Sequence, residues 1–210
     1  MSATGAAGDV PVVAAFDYDG TLTRRDTMLP FLASVAGWRR LVRGLAAASP
    51  QLGDRSAAKV TVFERTIGGR SYDELVTRGE SFATKVVASQ LRSEMVERVR
   101  WHAAQGHRLV IISASPVVSV APAARVLGFD DVIATELEVD DEQRATGRLL
   151  GANVRGAEKL RRLRALLGED PFTLWAYGNS SGDAQLLAAA DREHYVGRRG
   201  WRRRPLTPLP

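Results

Sequence analysis

The chain has 210 residues, 45% hydrophobic and 25% charged, which suits one globular domain with a large insertion and leaves enough length to bury a core. It contains no cysteine, which excludes disulfides, thiolate metal sites and any enzyme working through a cysteine nucleophile. The net charge of +5 does not mark a nucleic-acid partner: Arg198, Arg199, Arg202, Arg203 and Arg204 account for it, and nucleic-acid-binding faces carry their charge on folded elements.

Taken in chain order, the first ten residues, MSATGAAGDV, lack the basic-then-apolar pattern of a secretory leader and read as a loose tail. No apolar run approaches the roughly 20 residues that span a bilayer, so a cytoplasmic location is expected. Residues 12–16 form a short apolar strand that runs into Asp17, Asp19 and Gly20. From residue 24 to about 106 there is no strand pattern, only helical ones near 27–36, 38–47, 54–67, 72–87 and 91–104. Strand patterns return at 109–113, 132–135, 172–177 and 194–196, separated by helices at 116–127, 157–167 and 184–190 that stop at or near glycine or a polar residue. Residues 136–140 and 148–150 flank a polar turn ending in Gly147 and read as a β-hairpin.

Strands alternating with helices predict an α/β protein with a doubly wound, mainly parallel, Rossmann-like sheet. A crossover between parallel strands needs only a dozen or more residues, so the eighty after the first strand are an inserted α-helical cap. The predicted organisation is a catalytic core of residues 1–23 and 107–197, with 1–10 loose, a helical cap at 24–106, and a basic tail at 198–210. That tail is a solvated segment or a weak contact for anionic surfaces such as lipid. Ligands of such sheets bind beyond the carboxyl ends of the strands, the edge from which the cap departs.

Four polar features fall at that edge. Asp17 and Asp19 follow the first strand, Ser113 ends the second, Lys159 lies in the first turn of a helix, and Asn179 and Asp183 follow the fourth strand. Each has an ordinary explanation as a helix cap, a first-turn acid or a solvated charge. Their convergence on one edge, in this order, argues for chemistry. Carboxylates two residues apart on an extended segment point the same way, and each raises the pKa of the other unless a cation joins them.

These residues give the chain its likeness to a family. "FDYDGTLT", "ISAS", Lys159 in "RGAEKL" and "YGNSSGD" together resemble the four motifs of the haloacid dehalogenase superfamily, in the phosphoserine-phosphatase-like branch with a helical cap. The resemblance implies a phosphatase of small-molecule phosphate monoesters. In it Asp17 is the nucleophile that forms an aspartyl-phosphate, and Asp19 protonates the leaving alcohol and then activates water. Ser113 and the neighbouring Ala114 hold a phosphate oxygen, and Lys159 neutralises phosphoryl charge. Mg²⁺ sits among Asp17, Asp19, Asn179 and Asp183. Where the family has Asp as its fourth-motif ligand this chain has Asn179, which implies weaker hold on the ion. In the cap, Asp26 and Lys59 take the places of a Glu and an Arg that bind phosphoserine, one methylene shorter and without the bidentate fork. Phosphoserine, a phospholipid-related phosphomonoester and other small esters therefore all stay open.

Two rivals bear on this reading. "GNSSG" satisfies G-x-S-x-G around Ser180, but too little chain follows to supply the acid and histidine of a serine hydrolase. A non-catalytic binding module of the same fold is the alternative that Asn179 raises. His102 and His107 lack ligand spacing and read as surface residues, while Met28, Phe31 and Trp38 read as cap core.

Overall fold

A computed structural model describes residues 10–51 and 53–197. The basic tail and all but the last residue of the N-terminal tail lie outside these residues. The apolar run after Pro11 becomes strand β1 (Val12–Asp17), the centre of a five-stranded parallel sheet. The others are β2 (Arg108–Pro116), β3 (Asp131–Thr135), β6 (Thr173–Gly178) and β7 (Arg192–Tyr195), in the spatial order β3-β2-β1-β6-β7. Side chains alternate across β1. Val13 and Ala15 face a cluster built with Val110, Ile112 and helices α7 (Ala157–Leu167) and α8 (Ala184–Ala188). Ala14 and Phe16 face the other way, where Phe16 stacks on Tyr177 with ring centroids 4.2 Å apart.

Between β1 and β2 lie α1 (Met28–Ala36), α2 (Trp38–Ala48), α3 (Arg55–Thr66), α4 (Tyr72–Ser89) and α5 (Ser93–Ala104). The segment does not pack as one unit. Phe31, Leu41, Phe63 and Leu75 of α1–α4 form a cap cluster. Ala83 and Val86 of α4, with Met95 and Val99 of α5, bury instead against the sheet cluster of Phe16 and Tyr177. The second half of the insertion is therefore an outer helical layer of the core. Of the residues read as cap core, Phe31 is fully buried, Met28 is half-buried, and Trp38 is 64% exposed.

The two histidines at the end of this layer are not surface residues. His102 is fully buried, with Nε2 2.9 Å from the Tyr177 hydroxyl and Nδ1 2.7 Å from Nδ1 of a half-buried His107. An exposed α5 would leave them in water; packed on the sheet, it carries them inside.

The hairpin is real but differs in detail: β4 (Leu137–Val139) pairs antiparallel with β5 (Ala145–Leu149). Its turn precedes Ala145, where Oδ1 of Asp140 accepts from the backbone N–H groups of Glu142 and Arg144. Gly147 lies inside β5, not at the turn, with φ of +90°, and a Cβ there would meet the Glu64 Cα at 2.4 Å. Glycine is thus needed for α3 to lie on the hairpin. Together with Gly69 N–H to Ala145 O, 2.8 Å, this contact fastens the cap to the core beside the strand ends.

The remaining shifts are small. β2 runs past Ser113 through an irregularity in its pairing with β3, so α6 (Val117–Leu127) starts after Pro116. The final strand covers residues 192–195, not 194–196, and α8 ends at Ala188, after a single turn at Ser181–Asp183.

Candidate active site

The chain turns sharply where β1 ends. Thr21 Oγ1 donates to Oδ2 of Asp17 at 2.7 Å, and Gly20, with φ of +80°, takes the conformation that glycine adopts without strain. A Cβ on Gly20 would meet Nδ2 of Asn179 at 2.0 Å, so the loops after β1 and β6 touch here.

Lys159 joins the two loops from below. Its Nζ lies 2.6 Å from Oδ1 of Asp17, 2.6 Å from Oδ1 of Asp183 and 3.0 Å from the Ile112 carbonyl, and the residue is 2% exposed. A buried ammonium with three acceptors is fully paired, so the solvated-charge reading fails for it. Burial alone would lower its pKa, but Asp17 and then Asp183 hold it above the ordinary lysine value. Asp17 is raised to about 6, by burial first and then by Asp183 and Asp19, with Lys159 opposing. In Asp183 burial is outweighed by Lys159 and by backbone hydrogen bonds, and the carboxyl is held low. Its Oδ2 accepts from the Asn179 and Ser180 N–H groups and from the Ser180 hydroxyl, which fixes the turn carrying Asn179. Ser180 is thereby spent on a capping box, and the described structure pairs its hydroxyl with no histidine.

Asp19 stands apart from Lys159. Its Oδ1 accepts from Thr27 N at 2.7 Å and Thr27 Oγ1 at 2.6 Å, and its Oδ2 accepts from Ser115 Oγ at 2.5 Å and Ser113 Oγ at 3.4 Å. Ser113 is fully buried and its Oγ also accepts from Ser115 N. The second serine of "ISASP" was not singled out by sequence, although the alternation of an extended strand puts residues 113 and 115 on one side.

The cap closes over these groups through Lys59 of α3. Its Nζ donates to the Ala114 carbonyl at 2.7 Å and to Oδ1 of Asn153 at 2.5 Å. Burial pulls its pKa down to about 8, against the attraction of Asp19 and Asp26. Asp26 lies exposed at the rim and accepts from Met28 N at 3.1 Å. Asn153 also accepts from Thr135 Oγ1, and Arg155 donates to Ser181 Oγ; both come from a loop with no motif signal, visible only once β3 and α7 are placed. A cavity of about 700 Å³ takes in Asp17, Asp19, Asp26, Lys59, Ala114, Ser115, Asn153, Arg155, Lys159, Asn179 and Asp183. Every candidate from the sequence thus converges on this one cavity, with Ser113 just behind its wall.

Among the described residues no three His, Cys, Asp or Glu side chains form a metal-holding cluster. Mg²⁺ does not need one, since it keeps several waters and takes one or two carboxylates. The donors here are hard oxygens: the Asp17 carboxylate, the Asp19 carbonyl and the Asn179 amide. Asp17 and Asp183 share the one buried ammonium of Lys159, and Asp183 and Asp19 add to the burial that raises the Asp17 pKa. The residues present fit a divalent cation.

Haloacid dehalogenase-like hydrolases match this chain over residues 14–188. Protein CicA of Caulobacter vibrioides is 37% identical over 198 residues, spanning 91% of this chain and 89% of that protein. A protein of unknown function from Bordetella pertussis Tohama I superposes with a TM-score of 0.76 at 26% identity, covering 89% of this chain and 90% of that one. A phosphoserine phosphatase, solved as an analogue of its phospho-aspartyl intermediate, shares the fold with a TM-score of 0.62 at 14% identity, over 89% of this chain and 87% of that one.

Proposed function

The chain belongs to the haloacid dehalogenase-like hydrolase family, and we propose that it is a Mg²⁺-dependent phosphatase that hydrolyses a phosphate monoester through an aspartyl-phosphate on Asp17. The observation that carries this reading is the division of labour between two carboxylates two residues apart. Asp17 is clamped by Lys159 at 2.6 Å, whereas Asp19 is held only by hydroxyls and one backbone N–H. A nucleophile needs an ionised oxygen and an acid needs a proton to give. The Lys159 ammonium opposes the burial that raises Asp17 and so favours the ionised nucleophile there.

In the first step an Asp17 carboxylate oxygen forms a bond to phosphorus and the ester P–O bond breaks. The leaving oxygen takes the proton of Asp19. In the second, Asp19 accepts a proton from water as its oxygen attacks phosphorus, and phosphate leaves with Asp17 restored. Lys159, with the Ser113–Ser115 end of β2, offsets the charge that builds on the phosphoryl oxygens. Mg²⁺, held by Asp17, the Asp19 carbonyl and Asn179, would add positive charge to the same end of the cavity. Asp183 is spent on Lys159 and on the Asn179 turn, so its part is to position both.

Release of phosphate from p-nitrophenyl phosphate and from a panel of phosphorylated metabolites, with Mg²⁺ and with EDTA, tests the reading. Turnover is expected with Mg²⁺ only, and not in Asp17→Asn. Near wild-type hydrolysis by folded Asp17→Asn would sink it.

A further inference from the structure

Helix α2 carries a row of large apolar side chains in solvent. Trp38, Val42 and Leu45 on it are 64%, 59% and 40% exposed. Their spacing of four and three residues puts them on one face of an 11-residue helix. This is not the face that α2 buries, which carries Leu41, Gly44 and Ala48. Arg39 and Arg43, also four apart, form the neighbouring exposed row, and α2 contains no acidic residue. A tryptophan and two aliphatic side chains in a row on a surface call for a partner. Beside a row of arginines and no acid, they have the composition of a helix that lies in the interface of an anionic bilayer.

The strip also leads somewhere. Leu45 is itself part of the lining of the active-site cavity, together with the apolar side chains of Met28, Leu29, Val62 and Phe63. Asp17, Asp19, Lys159, Asp26 and Arg55 line the same cavity. The Lys59 ammonium lies 6.0 Å from the centre of the Phe63 ring and is held there by the Ala114 carbonyl and Asn153. A cavity lined by the phosphoryl-binding groups and by five large apolar side chains suits an ester whose alcohol carries hydrocarbon.

We propose that the substrate is a membrane lipid with a phosphomonoester headgroup, reached while α2 lies on an anionic bilayer. Trp38 and Val42 enter the acyl boundary, Arg39 and Arg43 meet anionic headgroups, and the lipid body follows Leu45 to the Met28–Phe63 wall. The proposal rests on the phosphatase reading above for its chemistry, but its surface half is testable without turnover.

Flotation of the full chain with phosphatidylglycerol or phosphatidylcholine vesicles, without substrate or Mg²⁺, tests the surface. Binding is expected to phosphatidylglycerol and to fall about tenfold in the double variant Trp38→Ser, Val42→Ser. Turnover of dioleoyl phosphatidic acid in those vesicles is expected to exceed that of glycerol 3-phosphate about tenfold in kcat/KM. The double variant should lose that preference and keep its p-nitrophenyl phosphate rate. Three results would overturn the proposal: no flotation of the wild type, flotation undiminished in the double variant, which would make the arginine tail the anchor, or a dimer that the double variant dissociates, which would make the strip a contact between copies. Failure on p-nitrophenyl phosphate would instead count against the phosphatase reading and leave the flotation result standing by itself.

Discussion

The Ser115 hydroxyl donates to Oδ2 of Asp19 across 2.5 Å, while Thr27 donates twice to Oδ1. The carboxyl proposed as proton donor is thereby aimed by Ser115 of β2 and by Thr27 before α1, with Ser113 of β2 at a longer 3.4 Å. Ser115→Ala removes one of them without touching Asp17. A lost hydrogen bond of about 1.4 kcal/mol at the transition state is about tenfold in rate. An alkyl phosphate, whose leaving group needs the proton, should lose about that much, and an aryl phosphate much less. The ratio of kcat for the two esters measures it, and equal losses would mean that Ser115 does not serve the acid.

Lys59 reaches from the cap to the Ala114 carbonyl and Asn153, beside the phosphoryl end of the cavity. Burial lowers its pKa to about 8, so its charge is lost as pH passes that value. If the ammonium helps to hold an anionic substrate under the cap, KM should rise above pH 8 with kcat less affected. Lys59→Met should show a raised KM at pH 7 and no such rise. Wild-type KM constant from pH 7 to 9 would remove Lys59 from binding.

What the sequence reveals here is what local pattern determines. The strand ending in Asp17 and Asp19, the serine at the end of β2 and the lysine in the first turn of α7 are read from alternation, turn signals and helix starts. Ser115 follows from the same alternation. Asn153 and Arg155 had no local signal, because their value depends on where β3 and α7 leave the intervening loop. The burial of His102 is illegible for a related reason: helical periodicity in 91–104 does not say which layer the helix joins, and only packing against Phe16 and Tyr177 makes the histidine internal. Trp38 erred in the opposite direction, an aromatic residue assigned to a core that α2 does not turn it toward.

That buried histidine has a consequence for stability. Burial lowers His102 to about 3, with His107 and Arg98 adding to the fall, and lowers His194 to about 4, with Arg98 and Arg192 adding. The unfolded chain binds protons on both near pH 6.5, the folded chain does not, so stability falls as pH drops below about 6.5 toward 4 and 3. Each histidine should cost about 2 kcal/mol between pH 7 and pH 5. Urea unfolding at the two pH values checks this, and His102→Gln should lose about 2 kcal/mol less than wild type. Equal loss in both would place the acid sensitivity elsewhere.

Asn179 packs against Gly20, at the point where the proposed cation meets both loops. Asn179→Asp adds a negative charge with little change of shape. An added favourable contact of ~1 kcal/mol would move half-saturation by Mg²⁺ about fivefold lower. The maximal rate need not rise, because a better-neutralised ion polarises the phosphoryl oxygens less. Activity titrated with Mg²⁺ decides, and an unchanged curve would put Asn179 outside the metal shell.

The covalent role of Asp17 is tested most directly by acid-quenching the enzyme during turnover of a ³²P-labelled phosphomonoester and mapping the label. Label on the peptide containing Asp17, released by hydroxylamine and absent from Asp17→Asn, is the result expected of a carboxylate that Lys159 holds at 2.6 Å for attack on phosphorus. Steady release of labelled phosphate with no label ever bound to the wild-type chain, at quench times shorter than one turnover, would contradict it.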